Sequence, residues 1–471
     1  MRRTMRSRSG TRRTADDPVP ALAQSVRREG TAMDGPQSVS RRAFLLSAGS
    51  AAAATLLGAC RQAPPSARER EPVVEIKPAT VKYIHVDTGQ AVWQEVFTKI
   101  FDGFQARYPQ IKLEVDPVPS IDASREKATT TFVGGGYYDL LYGHYSILAP
   151  YVAGDLIQPL DSFLTKDKEV SAGDFLPAAT EVYRGKIYGL AWFTNGKEIW
   201  YNADLLGQAG VKTPRQLEAE GRWTWDALLE LARQVTRRDG DRISVYGFNY
   251  PFNSTGWFVH SLWAWGADWF DRGFTRPALD TPEALAATEF AVDMVVKHRV
   301  AGGGDFTRST LAIQITGSFY ARTVDERILK ENPFSIEMAP LPRGPRGRWV
   351  ALANNANYIA KPSKAPEQTW LFYKYLLSQE VQPLLARLGG SRYVANKKIK
   401  PITLGSYEDP RVYEYSATIS RPTPLIVRQA DLDKDWREAW QSMVDGAKGV
   451  REALREVQEK ATIYLRDGCI C

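Results

Sequence analysis

Histidine is scarce in this chain, with four in 471 residues. None is spaced as His-Glu-x-x-His and none is paired with a Cys-x-x-Cys, so no metal framework is expected. Cysteine is scarcer still, at three. Cys469 and Cys471 end the chain as Cys-Ile-Cys. A disulfide across so short a spacing would be strained, so they read as two terminal thiols without a functional account. Gly-x-Ser-x-Gly and a phosphate loop are absent too. The triplet Gly134-Gly135-Gly136 is not followed by Lys-Ser/Thr, and its helix precedes rather than follows it, so it reads as a helix stop. No cofactor is expected. The net charge of +7 suggests a basic protein, but residues 1–59 hold ten Arg and four acids, leaving 51 basic and 50 acidic groups in the remainder. That balance implies no basic face for nucleic acid.

What is present begins with a leader. Ser40-Arg41-Arg42-Ala43-Phe44-Leu45-Leu46 matches the twin-arginine export pattern. An Ala-rich run over residues 43–59 ends in Leu57-Gly58-Ala59-Cys60, which has the lipobox form in which Cys60 is lipidated and becomes the new N-terminus. The run is 17 residues long. That is marginal for a membrane span, and its flanks are those of a signal rather than of a single-pass anchor. The expectation is an exported protein held by lipid at the outer face of the cytoplasmic membrane or in the periplasm. A start at Met33 would leave an ordinary short n-region. Residues 60–79 then form a tether, Pro-rich and without an apolar period.

The body is too long for one ordinary core, so two lobes are expected. Residues 80–86 are β-prone. Residues 91–108 carry Val92, Val96, Ile100 and Phe104 at fourfold spacing and end at Pro109, the mark of an amphipathic helix. Residues 111–117 form a second strand. This alternation predicts a parallel α/β sheet, in which ligands bind beyond the C-terminal strand ends. Asp87 and Gln90 sit at the first such end, as ligand contacts or as caps of the following helix. A helix over 122–132 and a strand over 139–143 continue the pattern, with His144-Tyr145-Ser146 at that strand's end.

Residues 185–202, Gly-Lys-Ile-Tyr-Gly-Leu-Ala-Trp-Phe-Thr-Asn-Gly-Lys-Glu-Ile-Trp-Tyr-Asn, place two β-prone runs around Thr194-Asn195-Gly196. Asn-Gly suits a tight hairpin. The same pattern, continued by Ala203-Asp204-Leu205-Leu206 and by Trp223-Thr224-Trp225-Asp226-Ala227-Leu228, resembles bacterial extracellular solute-binding proteins of family 1, the sugar-binding lipoproteins of ABC importers. The resemblance implies an α/β, two-lobed periplasmic-binding-protein fold of type II-like form. Each lobe would be a mainly parallel sheet flanked by helices, with hinge crossings between lobes. It makes residues 185–202 the first crossing, with Trp192 and Phe193 at the cleft mouth and Asn195 a further ligand candidate. It also turns His144 and Tyr145 toward the ligand.

Within the expected second lobe, Thr224 caps an amphipathic helix whose flanking Trp223 and Trp225 read as packing. In the aromatic stretch of residues 257–270, Trp257 at the helix start is the one placed at the cleft. A helix opens at Thr281-Pro282-Glu283. Residues 312–319 resemble the family's strand and Gly-x-Trp turn, with Phe319 where Trp is usual and Tyr320 beside it; both are ligand candidates. Residues 351–360 look like the return crossing, and Asn354 and Asn355 offer donor and acceptor together, as a sugar hydroxyl requires. A helix over 366–378 follows. The third crossing falls near Gly389-Gly390-Ser391-Arg392-Tyr393, and a last helix spans 432–465. These boundaries assign 80–193 with 355–392 to one lobe and 194–354 with 393–471 to the other.

Two functions compete. One is a monomeric binding protein that closes on a mono- or oligosaccharide and hands it to an ABC permease, with no catalytic residue and membrane contact only through lipid on Cys60. The other is an exported carbohydrate-active hydrolase with a carboxylate pair across a cleft. Within the binding class, polyamine, metal-chelate or anion ligands stay open, though neither paired crossing tyrosines nor a multi-Arg cleft is evident.

Overall fold

The computed structural model describes residues 76–388, 395–400, 402–403 and 405–466. The leader, Cys60, the start at Met33, most of the tether, the Gly389–Tyr393 stretch and the terminal cysteines lie outside the described residues. From Ile76 onward the chain clusters as one compact unit.

The strands are β1 (Ala79–Val86), β2 (Ile111–Val118), β3 (Leu140–Tyr142), β4 (Thr180–Tyr183), β5 (Lys186–Asn195), β6 (Lys197–Asn202), β7 (Arg237–Asp239), β8 (Arg242–Asn249), β9 (Leu311–Gly317), β10 (Ile336–Ala339), β11 (Val350–Ala351), β12 (Ala353–Ile359) and β13 (Ser420–Arg421). They build a six-stranded sheet in the order β2-β1-β3-β12-β5-β4, a five-stranded sheet in the order β10-β6-β9-β8-β7, and a short β11-β13 ribbon. Helices flank both larger sheets.

Both sheets are mixed, not mainly parallel. β1 runs parallel to β2 and β3, but β12 is antiparallel to β3 and β5, and β4 is antiparallel to β5. In the second sheet only β8 and β9 run parallel. The cause is connectivity. β5 leaves the first sheet and β12 returns to it, so these two run in opposite directions, and β12 fills the gap between β3 and β5.

Residues 185–202 are a crossing rather than a hairpin. β5 pairs with β12 and β4, β6 pairs with β9 and β10, and Gly196 alone separates β5 from β6. On the way back the chain leaves the second sheet at the end of β10, and Leu352 alone separates β11 of the short ribbon from β12 of the first sheet. The third change of sheet falls later than residue 393. The Leu176 N–H still donates to Ala395 O at 2.9 Å and the Lys397 N–H to Asp174 O at 2.7 Å, on the approach to β4. Tyr407 Oη then donates to Ala321 O at 2.9 Å, beyond β9.

Helix ends follow local chemistry. Thr224 and Thr281 accept from the third N–H of their helices, and Pro282 occupies the first turn. Helix Ala91–Arg107 buries Val96, Phe97, Ile100 and Phe104 against the first sheet. The stretch expected as one last helix is two, Gln429–Val444 and Val450–Arg466. Gly446, at φ +71°, breaks it in a backbone region that glycine tolerates best. The final helix packs on the second sheet's helices, where Gln458 bonds to both Pro277 O and the Leu279 N–H.

A buried carboxyl sits behind β12. Glu181 is 5% exposed and accepts from the Tyr358 hydroxyl, and burial pushes its carboxyl up to about 8. A raised folded-state pKa gives stability that is full below the ordinary carboxylate range and is lost as pH rises toward 8. Melting the parent and Glu181→Gln between pH 5 and pH 9 tests this. The parent is expected to lose more stability across that range, and the variant's curve is expected to be flatter.

Candidate functional site

The crossing strands bring the candidate residues together in unequal ways. Trp192 is 1% exposed, 5.8 Å from Phe97 and 5.9 Å from Tyr142 between ring centroids. It is a core residue of the first sheet, not a plate at the cleft mouth. It packs against helix Ala91–Arg107 where the pairing of β5 with β12 skips from Phe193 to Ala191, a bulge at Trp192 itself. Phe193, 7% exposed, touches Trp93 at 6.4 Å. Asn195 is buried and its Oδ1 accepts from Ser318 Oγ at 2.9 Å, which ties the end of β5 to the end of β9.

The return strand uses its amides internally. Asn354 Oδ1 accepts from Thr194 Oγ1 at 2.8 Å, and its Nδ2 donates to Ala178 O at 2.7 Å. Asn355 Oδ1 accepts from the Tyr142 hydroxyl at 3.0 Å. Asn357 Oδ1 accepts from the Tyr83 hydroxyl at 3.2 Å. These bonds satisfy polar groups that would be costly if buried alone, and they hold the crossing in register.

The remaining candidates face one another between the sheets. From the first side come the loop after β1 and the turn after β3. Asp87 accepts from the Gly89 N–H at 2.8 Å and from Gln94 at 3.3 Å, so it shapes its own loop. Gln90 occupies the cap position of helix Ala91–Arg107 without a side-chain cap bond. It accepts instead from the Arg322 guanidinium, which follows β9, so this bond spans the two sides. The rings of His144 and Tyr145 lie 4.2 Å apart, tilted at 45° to each other. The Tyr145 phenol lies against helix Thr255–Trp265, where a Cβ on Gly256 would stand 3.2 Å from its oxygen. Burial, with Asp433 nearby, pushes that phenol up to about 12.

From the second side come Trp257, Phe319, Tyr320 and Asp433. The ammonium of Lys197 lies 4.4 Å over the Trp257 ring. Phe319 is 43% exposed, while its neighbour Tyr320 packs on Trp200 and Phe306 at 6.0 Å each. Asp433 accepts from Thr255 Oγ1 and from Gln429, and burial still raises its pKa. His260 anchors this side from below. It accepts at Nε2 from the Ala351 N–H at 3.0 Å, which leaves Nδ1 to donate to Trp257 O at 2.8 Å. Burial lowers it to about 3, so it is neutral at any working pH.

Sequence reasoning missed Lys197, Arg322, Asp433 and His260. Lys197-Glu198 did carry a signal, a charged pair heading the apolar Ile199-Trp200-Tyr201. Burial pushes Lys197 down to about 8, offset in part by Glu198. Among the described residues no cluster of His, Cys, Asp or Glu could hold a metal ion, and no helix is long and apolar enough to cross a membrane. A pocket of about 410 Å³ opens elsewhere, at the C-terminal end of helix Thr255–Trp265, walled by Trp263, Asp268, Trp349 and Arg421. It shares no lining residue with the cleft candidates.

Two mixed sheets, a strand crossing between them and facing side chains from both define a two-lobed α/β binding protein. The chain belongs to the bacterial extracellular solute-binding protein family, whose profile matches residues 87–383. That family is one of binding proteins, not enzymes. A Brucella abortus relative with a provisional binding-protein name is 23% identical over 387 residues, covering 79% of this chain and 90% of its own. The mannitol-binding protein of Pseudomonas aeruginosa is 25% identical over 293 residues, covering 57% and 63%. Among solved structures, the sugar-binding protein MalE of Xanthomonas citri has a TM-score of 0.70 at 18% identity, covering 82% of this chain and 97% of its own. The GacH receptor of Streptomyces glaucescens, solved unliganded and with acarbose, has a TM-score of 0.68 at 19% identity, covering 83% and 100%. At these identities the structures establish the shared two-lobed fold.

The contrast between Trp192 and Phe319 is measurable. Trp192→Ala is expected to cost about 3–5 kcal/mol of stability, as a large core truncation does. Phe319→Ala, at a half-exposed position, is expected to leave denaturant unfolding within about 0.5 kcal/mol of the parent.

Proposed function

We propose that this protein is an exported, lipid-anchored carbohydrate-binding protein that closes on its ligand between two lobes and delivers it to an ABC importer. The observation that carries the reading is the half-exposed ring of Phe319 just past β9, three residues before Arg322, whose guanidinium reaches across to Gln90 on the other side. Sugars present apolar C–H faces and rings of hydroxyls, and an aromatic plate with planar polar groups suits both. Support comes from the ligands of relatives: acarbose in the GacH receptor, mannitol in the name of the Pseudomonas protein, and cycloalternan in a Listeria monocytogenes substrate-binding protein of TM-score 0.68 at 17% identity.

In this reading one lobe is built on the first sheet and the other on the second. The hinges are Gly196, Leu352 and a third connection past Lys398. The Gln90–Arg322 bond belongs to the closed state, and closure is a hinge motion driven by ligand contacts made only when the lobes meet. The twin-arginine segment and the Leu57-Gly58-Ala59-Cys60 lipobox supply export and the lipid anchor, with a monomer tethered through residues 60–79.

Thermal unfolding of the chain from residue 61 onward against mono- and oligosaccharides tests the proposal. A bound ligand stabilises by about 2.7 kcal/mol at a hundredfold excess over its dissociation constant. A shift with a sugar, stable over hours and without product by mass spectrometry, is expected. A shift that decays as product forms would overturn the binding reading, and silence across the panel would overturn the carbohydrate assignment.

A further inference from the structure

Lys197 opens β6 where the chain leaves the first sheet, and it is 4% exposed. Its ammonium sits over the face of Trp257, whose ring partly replaces water around the charge. Among the described residues it forms no ion pair within 4.0 Å. Glu198 follows it along the strand, turned to the opposite face, and acts on it through space.

The other groups near the ammonium do not neutralise it. His144, from the first-sheet side, and His260, from the helix, both feel its charge. Both are neutral. The His260 proton is fixed on Nδ1 by its two bonds, and His144 Nδ1 accepts from the Ser146 N–H at 3.3 Å, which leaves its proton on Nε2. Beside the helix start that carries Trp257, Tyr145 is held protonated by burial and by Asp433, and the Asp433 carboxylate itself accepts from Thr255 and Gln429. Lys197 thus has an aromatic face beside its ammonium and two neutral imidazoles on which its charge acts.

A buried charge left without a partner is expensive, and an ammonium–carboxylate hydrogen bond is among the strong ones. We propose that Lys197 is a specificity-determining residue that pairs with a carboxylate on the ligand, so that the cleft takes an acidic sugar, a uronic or aldonic acid, in preference to its neutral counterpart. This rests on the carbohydrate reading above. The Trp257 and Phe319 faces take the apolar side of the sugar, and His144 Nε2 is a second donor for the acid.

Calorimetric titration of the purified protein with matched pairs tests the assignment: D-galacturonate against D-galactose, D-glucuronate against D-glucose, and D-gluconate against D-glucitol. Within each pair the carbon skeleton is the same and the carboxylate is the difference. One acid is expected to bind at least about tenfold more tightly than its neutral partner. Its affinity should weaken at high salt, and Lys197→Met should abolish the preference while the unliganded protein still melts cooperatively. Should Lys197→Met fail to fold, the wild-type pairs and the salt series decide alone. A neutral sugar that binds as well as its acid overturns the role of Lys197 and leaves the carbohydrate reading intact. No binding by the acids or by the neutral panel overturns both.

Discussion

One extended segment serves two sheets. β5 ends on Asn195 and β6 begins on Lys197, each hydrogen-bonded into a different sheet, with a single glycine between them. Everything that makes the cleft depends on this continuity. A longer linker would let the sheets drift. With one residue, the position of the second sheet is set by the end of the first, and the Asn195–Ser318 bond fastens the junction from the side. A second glycine completes the junction. Gly317 pairs with Lys197, and a Cβ there would stand 3.2 Å from the Gly196 carbonyl and 2.5 Å from the Phe319 ring. Glycine at that point lets the chain turn and present Phe319.

From that junction the site follows in layers. The amides of β12 lock the return strand to its neighbours through Tyr142, Tyr83 and Thr194. His260 locks the helix that carries Trp257 to β11, one residue before the return. The groups facing the cleft are thus mounted on strand ends and a helix start that are fixed from behind. Among the described residues, the Gln90–Arg322 bond and the approach of Tyr145 to Gly256 join the two sides away from the crossing strands. Many fastenings on the hinge side and few across the cleft make the arrangement expected of lobes that open about fixed pivots.

Much of this was legible in the sequence where local chemistry decides. The caps Thr224 and Thr281, the apolar spacing of residues 91–108 and the order of strands all carried their own signals. The crossing was visible only through the family pattern, because Asn-Gly between two β-prone runs is as good a hairpin. Mixed sheet direction was not legible, since pairing partners lie far apart: β12 meets β5 across some 160 positions, as Asn354 and Thr194 show. The same distance hid the fate of the candidates. Trp192 and Phe319 are both aromatic residues on or beside strands, and only the packing of helix Ala91–Arg107 over one of them separates core from cleft. The break at Gly446 was missed because amphipathic spacing runs on either side of it.

The position of β12 has a consequence for how the chain acquires its structure. It is the fourth strand in space of the first sheet but the last of that sheet to be synthesised, and β5 and β4 reach the rest of the sheet only through it. Until residue 359 is available, the first sheet is two fragments, β2-β1-β3 and β5-β4. The whole second sheet must be spanned by the chain before they can join. Long-range closure of this kind slows folding, and the two lobes are obliged to mature together rather than in turn.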